Sequence, residues 1–453
     1  VIDLTADRIA EAMSAEVVVT GPDTKPSRAE IDTRNLEGGE LFFGLPGENV
    51  DGGEFGSDAL EAGAWGVVLG REHAELVGQS GVEASPGWVF AVEDPLLAMQ
   101  RLASEWRQET GARVVGITGS VGKTSVKDMT RDLLPGVVHA SDQNMNTEIG
   151  VPLTILSAGR NTEFLVLEMA MRGRGQIAEL AEIGRPDVAV ITTVGPVHIE
   201  LLGSVAAIAE AKAEIIGGLG PDGILVAPVE AGELEPHLAR APGLIRFGDG
   251  GDVSATEVEI DSSAGTTKAR IQSPSGSAEF EFPFPERHNL LNALAAVAVG
   301  SALGVEPGEM SARAGRITLS RLRGERIELE SGTLLLNDCY NANPVSMRAA
   351  LDALAAEPGD ERIAVLGLMG ELGPGSVGFH SEVGEYARSL GIDTVIGVGP
   401  EARDYRPDIV VDDPEGAAEA VRASAGPDSV VLIKGSRSAG LEAVAESLTG
   451  GDA

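Results

Sequence analysis

One cysteine, Cys339, occurs in 453 residues. That excludes an internal disulfide and a cysteine-based zinc site, and it fits a reducing compartment. Long hydrophobic runs are missing too. The longest apolar tract, Ala293 to Val305, contains Gly300 and Ser301 and falls short of the ~20 residues a membrane span needs. No basic stretch leading into an apolar one begins the sequence, so no secretory leader is expected. Basic residues are scarce: 34 Lys and Arg stand against 70 Asp and Glu, a formal charge of −36. Such a balance rules against general nucleic-acid binding and against anionic membrane surfaces. Lysine is rarest of all, found only at Lys25, Lys123, Lys127, Lys212, Lys268 and Lys434. A chain this acidic that binds a polyphosphate must gather its cations where the phosphates sit, so Lys123 and Lys434 are informative.

What remains is a chain that is 43% hydrophobic but only 4% aromatic, the make-up of a soluble enzyme rich in Ala, Val, Leu and Gly rather than of a disordered or fibrous protein. Its length suggests about three domains. The stretch Val114 to Lys127 organises them. Val114 to Thr118 reads as a buried strand, Gly119-Ser120-Val121-Gly122 as a glycine-spaced loop, and Lys123-Thr124-Ser125 as the start of a helix running to about Leu134. A strand, a glycine loop and a helix opening on Gly-Lys-Thr form a phosphate cradle. Backbone N–H groups face the phosphates, the lysine reaches the terminal ones, and the threonine hydroxyl suits Mg²⁺. Ile117 stands where the general nucleotide-loop pattern has its first glycine.

Residues 1–109 read as a small α/β unit, closed by a helix from Pro95 to Gln108. Within it Thr33 and Arg34 follow an aspartate, and Arg34 suits either a phosphate or base contact or a surface ion pair. Residues 110–314 hold the phosphate loop and an apolar strand, Phe164 to Leu167, ending at Glu168. An acid at the carboxyl end of a parallel strand sits beside such a loop and can hold the metal of a Mg-nucleotide. A second strand, Val188 to Val194, leads to His198, which fits a metal ligand, an acid/base group or a packed surface residue. Lys212, on the helix from Val205 to Ile216 between Glu210 and Glu214, reads alone as a surface ion-pair residue. Short runs at Ile224 to Val226, Val253 to Ile260, Lys268 to Gln272 and Glu279 to Phe284 predict a small antiparallel sheet added to the parallel one. Residues 315–453 alternate strands with helices, which predicts a Rossmann-like parallel sheet covered on both faces. Functional groups are then expected at its strand ends, around Asp338, Tyr340, Asn341 and Asn343 and around Lys434 and Arg437.

In this order the motifs resemble the Mur ligase family. They are Asp32-Thr33-Arg34 with Gly38-Gly39-Glu40-Leu41-Phe42, Gly116 to Ser125, Asn146-Thr147-Glu148-Ile149-Gly150, and Leu167-Glu168-Met169-Ala170-Met171-Arg172-Gly173. After them come Thr193 to His198, Glu210 to Glu214, Arg287-His288-Asn289, Asn337 to Pro344 and Lys434-Gly435-Ser436-Arg437. The best-matching member adds D-alanyl-D-alanine to UDP-N-acetylmuramoyl-tripeptide, and its marks are Glu168 to Gly173 together with Tyr340 to Pro344. Gly-x-Thr-Gly-x-x-Gly-Lys-Thr is how this family writes its loop, so Ile117 ceases to be an anomaly.

The resemblance implies three domains: one for the UDP end, a central ATPase, and a Rossmann-like one carrying part of the nucleotide site and the incoming amine. It implies that ATP phosphorylates the tripeptide carboxylate and that the dipeptide amine displaces phosphate from the acyl phosphate. Gly119, Ser120, Gly122, Lys123, Thr124 and Ser125 would hold the phosphates, with Thr124 and Glu168 on one Mg²⁺ and His198 on a second metal. Lys212 takes the position that the family typically carbamylates, which would make it an anion near that metal. Asn289, Asp338 and an arginine, Arg323 by its spacing with Arg326 as the alternative, would contact adenine or ribose. Tyr340 would pack on the base, and Asn341 and Asn343 would lie near phosphate and dipeptide. Thr33 and Arg34 would face the UDP end, Asn146 and Thr147 the substrate, and Lys434 and Arg437 the substrate carboxylates. The reaction would belong to cytoplasmic peptidoglycan precursor synthesis, carried out by a monomer with no nucleic-acid partner and no membrane insertion.

The resemblance lapses at Leu368, where the family often has an acid, and at Ala227-Pro228. A divergent member with another amine substrate is one alternative. Another is a sister ligase adding a single amino acid, whose usual Asp-Asn-Pro-Arg does not occur here. Folylpolyglutamate synthase, a third, lacks the Asp-Thr-Arg unit. A regulatory protein without turnover is opposed by the intact Lys123, Glu168, His198 and Lys212.

Overall fold

The computed structural model describes residues 2–79, 87–142, 144–197 and 199–450. Among the described residues the first sheet runs Glu16–Val19, Trp88–Val92, Gly66–Gly70, Leu41–Phe43, Ala29–Glu30, with only the first pair antiparallel. The helix Pro95–Thr110 joins this sheet to the second unit of the chain. Its start is set by Asp94, whose carboxylate accepts the Leu96 and Leu97 N–H groups, and by Pro95, whose missing N–H costs nothing there. Gly111 stops it in a left-handed conformation, φ 67°. Trp106 on this helix is fully buried, and its indole N–H donates to the Ala158 carbonyl at 3.0 Å. Trp106 and Leu102 share one apolar cluster with Ile155 and Leu156 of the second unit. The first two units therefore share a core.

The second sheet is parallel throughout, in the order Gly243–Phe247, Ile224–Pro228, Val188–Ile191, Arg113–Thr118, Phe164–Glu168, Val138–Ala140. Its strands alternate between two cores: Leu165 and Leu167 enter one, Val166 the other. Strands covered on both faces read as unbroken apolar runs. This explains one departure from expectation. Ile224–Pro228 does not join the antiparallel sheet. Leu225 to Pro228 are buried without alternation, and the strand inserts between two parallel neighbours. The remaining three runs do form an antiparallel sheet, Ser254–Asp261, Thr266–Ser273 and Gly276–Phe282. The strand at 188 ends at Ile191 rather than Val194, because the backbone beyond it turns to bond the phosphate loop.

The third sheet runs Glu325–Glu328, Leu334–Asn337, Ser429–Lys434, Glu361–Leu366, Thr394–Val398, Ile409–Val411, and only its first pair is antiparallel. Leu335, Ile363 and Val365 face one core, while Leu336, Ala364 and Leu366 face the other. Helices cover both faces, as the alternation predicts. The strand ends that matter are Thr118 and Glu168 in the second sheet, and Asn337, Leu366 and Lys434 in the third. Among the described residues no helix is long and apolar enough to cross a membrane.

Candidate active site

The loop after Arg113–Thr118 is shaped by two glycines. Gly119 has φ 153° and Gly122 φ 86°; a Cβ on the first would collide with the Thr192 hydroxyl, and on the second with the Asn292 amide. Residues just beyond the neighbouring strand Val188–Ile191 hold the loop. Ser120 N–H donates to Thr193 O at 2.8 Å, Val121 N–H to Thr193 Oγ1 at 3.0 Å, and Gly195 N–H to Ser120 Oγ at 3.0 Å. Helix Lys123–Leu133 then begins with no side chain capping it. Its first N–H groups and the positive end of its dipole are left for an anion.

Glu168, 2% exposed, is the hub. Its Oε2 accepts the Thr124 hydroxyl at 2.8 Å and its Oε1 the Asn146 amide at 2.9 Å. Arg323, from the third unit, donates to the same Thr124 oxygen at 3.2 Å and lies over the Tyr340 ring, 4.2 Å from its centre. The Arg323 Nε is buried without a partner among the described residues, a donor waiting for an acceptor. A cleft of about 580 Å³ opens here, lined by Thr124, Asn144, Arg321, Arg323, Tyr340 and Arg437 among others. A larger cleft of about 960 Å³ lies at the amino ends of the strands of the second sheet, around Arg107, Arg113 and Asp187. The charges there are already spent: Asp187 pairs with both Arg107 and Arg113, and Arg107 also donates to two backbone carbonyls. Chemistry in open α/β sheets belongs at the carboxyl ends of the strands.

Two lysines share the site. Lys123 Nζ donates to the Gly119 carbonyl at 2.9 Å. Burial pulls its pKa down, the Glu168 charge works against that, and Arg323 adds to the fall. Lys212 is 2% exposed, and its pKa falls well below the usual lysine range, first from burial and then from repulsion by Lys123. It is thus no surface ion-pair residue. The two acids flanking it do pair elsewhere, Glu210 with Arg174 and Glu214 with the N–H groups of Gly175 and Ala178. His198 lies outside the described residues.

Several expected contact residues have other partners. Lys434 is buried, and its three protons go to Asp338 Oδ2 at 2.6 Å, Asp338 O at 3.2 Å and Asn341 O at 3.1 Å. A lysine has three donors, so Lys434 braces the Asp338–Asn341 loop rather than offering a free cation to a substrate carboxylate. Asn343 caps helix Pro344–Ala356, accepting Val345 and Ser346 N–H groups while Ser346 answers its own N–H. Asn341 is exposed, with its Oδ1 taking the Ala342 N–H. Arg437 pairs with Glu442 at 3.2 Å and stays mostly exposed on the cleft wall.

Asn289 is buried between Glu286 and Asn292, and Asn292 is the residue that crowds Gly122. Of the two arginines weighed, Arg326 is committed to Glu357 through two bonds of 2.7 and 2.9 Å, while Arg323 faces the cleft. Thr33 and Arg34 sit in the first unit, where the Arg34 fork grips Asp32 at 2.9 and 2.6 Å. Thr147 receives the Ile149 and Gly150 N–H groups at 3.4 Å, and Ser125 stands in the first turn of the loop helix.

Two residues of the site carry no assigned role in the sequence. Thr193, which opens the Thr193 to His198 motif, shapes the loop. Ser141 receives the Glu168 N–H at 3.1 Å and belongs to no pattern that marks it.

The site fits a Mg-nucleotide. No group of three or more His, Cys, Asp or Glu that could hold a metal by itself occurs among the described residues. Mg²⁺ bound with a nucleotide needs only one or two protein oxygens, the phosphates and water supplying the rest. Thr124 and Glu168 offer such oxygens beside an uncapped helix end.

A glycine-shaped phosphate loop on a parallel sheet, completed by an arginine from a following Rossmann-like unit, defines a nucleotide-binding enzyme. Residues 117–300 match the Mur ligase middle domain, and residues 322–437 match the Mur ligase glutamate ligase domain. The chain belongs to the Mur ligase family. It is 37% identical to the UDP-N-acetylmuramoyl-tripeptide–D-alanyl-D-alanine ligase of Synechocystis, covering 97% of this chain and 95% of that one. Its structure resembles MurF from Acinetobacter baumannii, with a TM-score of 0.88, 28% identity and 98% of each chain covered. It also resembles MurF from Thermotoga maritima in complex with ADP, with a TM-score of 0.82, 31% identity, and 94% and 97% covered.

Proposed function

We propose that the chain joins D-alanyl-D-alanine to UDP-N-acetylmuramoyl-tripeptide with hydrolysis of ATP, as a monomer in cytoplasmic peptidoglycan precursor synthesis. The observation that carries the reading is Arg323 of the third unit meeting Thr124, and through it Glu168, on the phosphate loop. The named relatives, similar over nearly the full chain, support the choice of amine. On this reading 1–109 binds the UDP end through Thr33 and Arg34, 110–314 the nucleotide, and 315–453 the dipeptide.

A terminal carboxylate oxygen of the tripeptide attacks the γ-phosphorus, and ADP leaves. The dipeptide's neutral amine then attacks the acyl carbon of the mixed anhydride. The tetrahedral intermediate expels phosphate and the new amide nitrogen loses a proton. Both steps gather negative charge, which prearranged cations stabilise most. Lys123 and Arg323 are placed for that, and Asn146 orients Glu168. Mg²⁺, held by Thr124 and Glu168, would neutralise phosphate charge. A second metal would take His198 and a carbamylated Lys212. The depressed pKa of Lys212 supports this, because the neutral amine is the form that adds to CO₂, releasing a proton. Asn289, Asp338, Tyr340 and Asn341 surround the nucleoside end. Asn343 and Lys434 support the loop that does so, and Arg437 is the freer cation.

The test is phosphate release with Mg-ATP, UDP-N-acetylmuramoyl-tripeptide and either D-alanyl-D-alanine or single amino acids. Release with the dipeptide is expected. Release only with a single amino acid would sink the assignment.

A further inference from the structure

The loop helix does more than present Lys123 and Thr124. Its outer residues grip the segment that leads out of the central unit. Asp128, fully buried, accepts the Ser320 N–H at 2.9 Å and the Ser320 hydroxyl at 2.7 Å on Oδ2. Its Oδ1 faces Lys127 at 3.0 Å and Arg131 at 3.3 Å. Asp132 accepts the Thr318 N–H at 2.8 Å, and Arg131 donates to the Thr318 carbonyl at 2.9 Å. Ile317 and Leu319 meanwhile pack into the central core. Residues 317–320 are thus fastened on both their polar and their apolar sides.

Immediately beyond, the chain changes character. Leu322 has φ 62° and Gly324 φ 73°, a left-handed conformation that a leucine adopts only when its surroundings impose it. Arg323 lies between them. Tyr340 N–H donates to the Leu322 carbonyl at 3.3 Å, which brings the ring under the Arg323 guanidinium. The helix that carries Thr124 at its first turn therefore also holds, one to two turns later, the segment that returns Arg323 to Thr124. Lys127 completes the circuit: its ammonium bonds Asp128 and the carbonyl of Ser141, the residue whose hydroxyl takes the Glu168 N–H.

We propose that Asp128 and Asp132 are positioning residues for Arg323, fastening residues 318–320 to the loop helix so that the guanidinium meets the nucleotide. The inference rests on the reading of Gly119–Ser125 as a nucleotide loop. It goes beyond that reading by giving two acids that do not line the cleft a measurable part in nucleotide affinity.

The experiment is a double-mutant cycle on Mg-ADP affinity, measured by calorimetry on the full chain for wild type, Asp128→Asn, Arg323→Gln and the double variant. Losing one charge-assisted hydrogen bond corresponds to about tenfold. Arg323→Gln is expected to weaken Mg-ADP by about that factor, Asp128→Asn by several-fold, and the double variant no more than Arg323→Gln alone. The KM for the UDP-linked substrate is expected to stay unchanged in Asp128→Asn. Multiplying factors in the double variant would overturn the positioning role. So would unchanged affinity in Arg323→Gln, or an equal rise in both KM values. Ser320→Ala, which removes one hydroxyl and leaves the backbone bond, supplies the same cycle should Asp128→Asn not fold. Absence of Mg-ADP binding in the wild type would instead defeat the loop reading itself.

Discussion

Thr124 donates its hydroxyl to Glu168 across 2.8 Å, in a pocket where both side chains are buried. A hydroxyl and a carboxylate this close, at an uncapped helix start, make a hard oxygen pair for a Mg-nucleotide. Glu168→Gln keeps the shape and one acceptor oxygen but removes the charge. Turnover is expected to fall on the order of a hundredfold, with the circular dichroism spectrum and melting temperature near those of wild type. Turnover close to normal would take Glu168 out of the chemistry.

Lys123 is held in a desolvated position that its own charge disfavours. Lys123→Ala is expected to abolish turnover without lowering the melting temperature, because the fold gains little from a cation whose pKa it depresses. A stable variant with normal turnover would remove the loop lysine from the mechanism, and a large loss of stability would show that the lysine is structural.

His380 gives a pH dependence away from the site. It is fully buried; Nδ1 bonds the Ser376 carbonyl at 2.7 Å, and Nε2 accepts the Met369 N–H at 3.0 Å. Protonation would break the second bond, and burial lowers the pKa. The unfolded chain takes up a proton near pH 6.5 that the folded chain refuses, so this contribution is complete above that pH and is lost as pH falls. The urea midpoint is expected to drop between pH 7 and pH 5, and to drop less in His380→Gln. Identical slopes would refute the assignment.

Trp106 stitches the first unit to the second. Trp106→Ala should cost about 3–5 kcal/mol in the shared core, seen as an early unfolding transition in urea. Trp106→Phe, which orphans the Ala158 carbonyl and leaves a smaller void, should cost less, about 1–3 kcal/mol. Equal effects would mean that the part of the ring Phe retains contributes nothing.

The phosphate loop was readable because its chemistry is local: glycines where the backbone turns left-handed, and a lysine and a threonine at the helix start. Glu168 was readable as an acid ending an apolar run. Lys434 and Asn343 were harder, since a residue type does not name its partner, and their bonds go to the protein itself. The strand Glu325–Glu328, with a single apolar residue, carries no alternation and exists through pairing with Leu334–Asn337. The bond between Asp128 and Ser320 spans 192 residues, and no local pattern announces it. The run Ile224 to Val226 reads as part of the antiparallel sheet because a short apolar run does not say which strands will flank it.

The most direct test of ligation through an acyl phosphate traces oxygen. UDP-N-acetylmuramoyl-tripeptide labelled with ¹⁸O in its terminal carboxylate is incubated with Mg-ATP, D-alanyl-D-alanine and the protein, and the released phosphate is analysed by mass spectrometry. One labelled oxygen is expected in each phosphate, carried over when the amine displaces the acyl phosphate. Unlabelled phosphate, formed while the dipeptide is ligated, would contradict that mechanism.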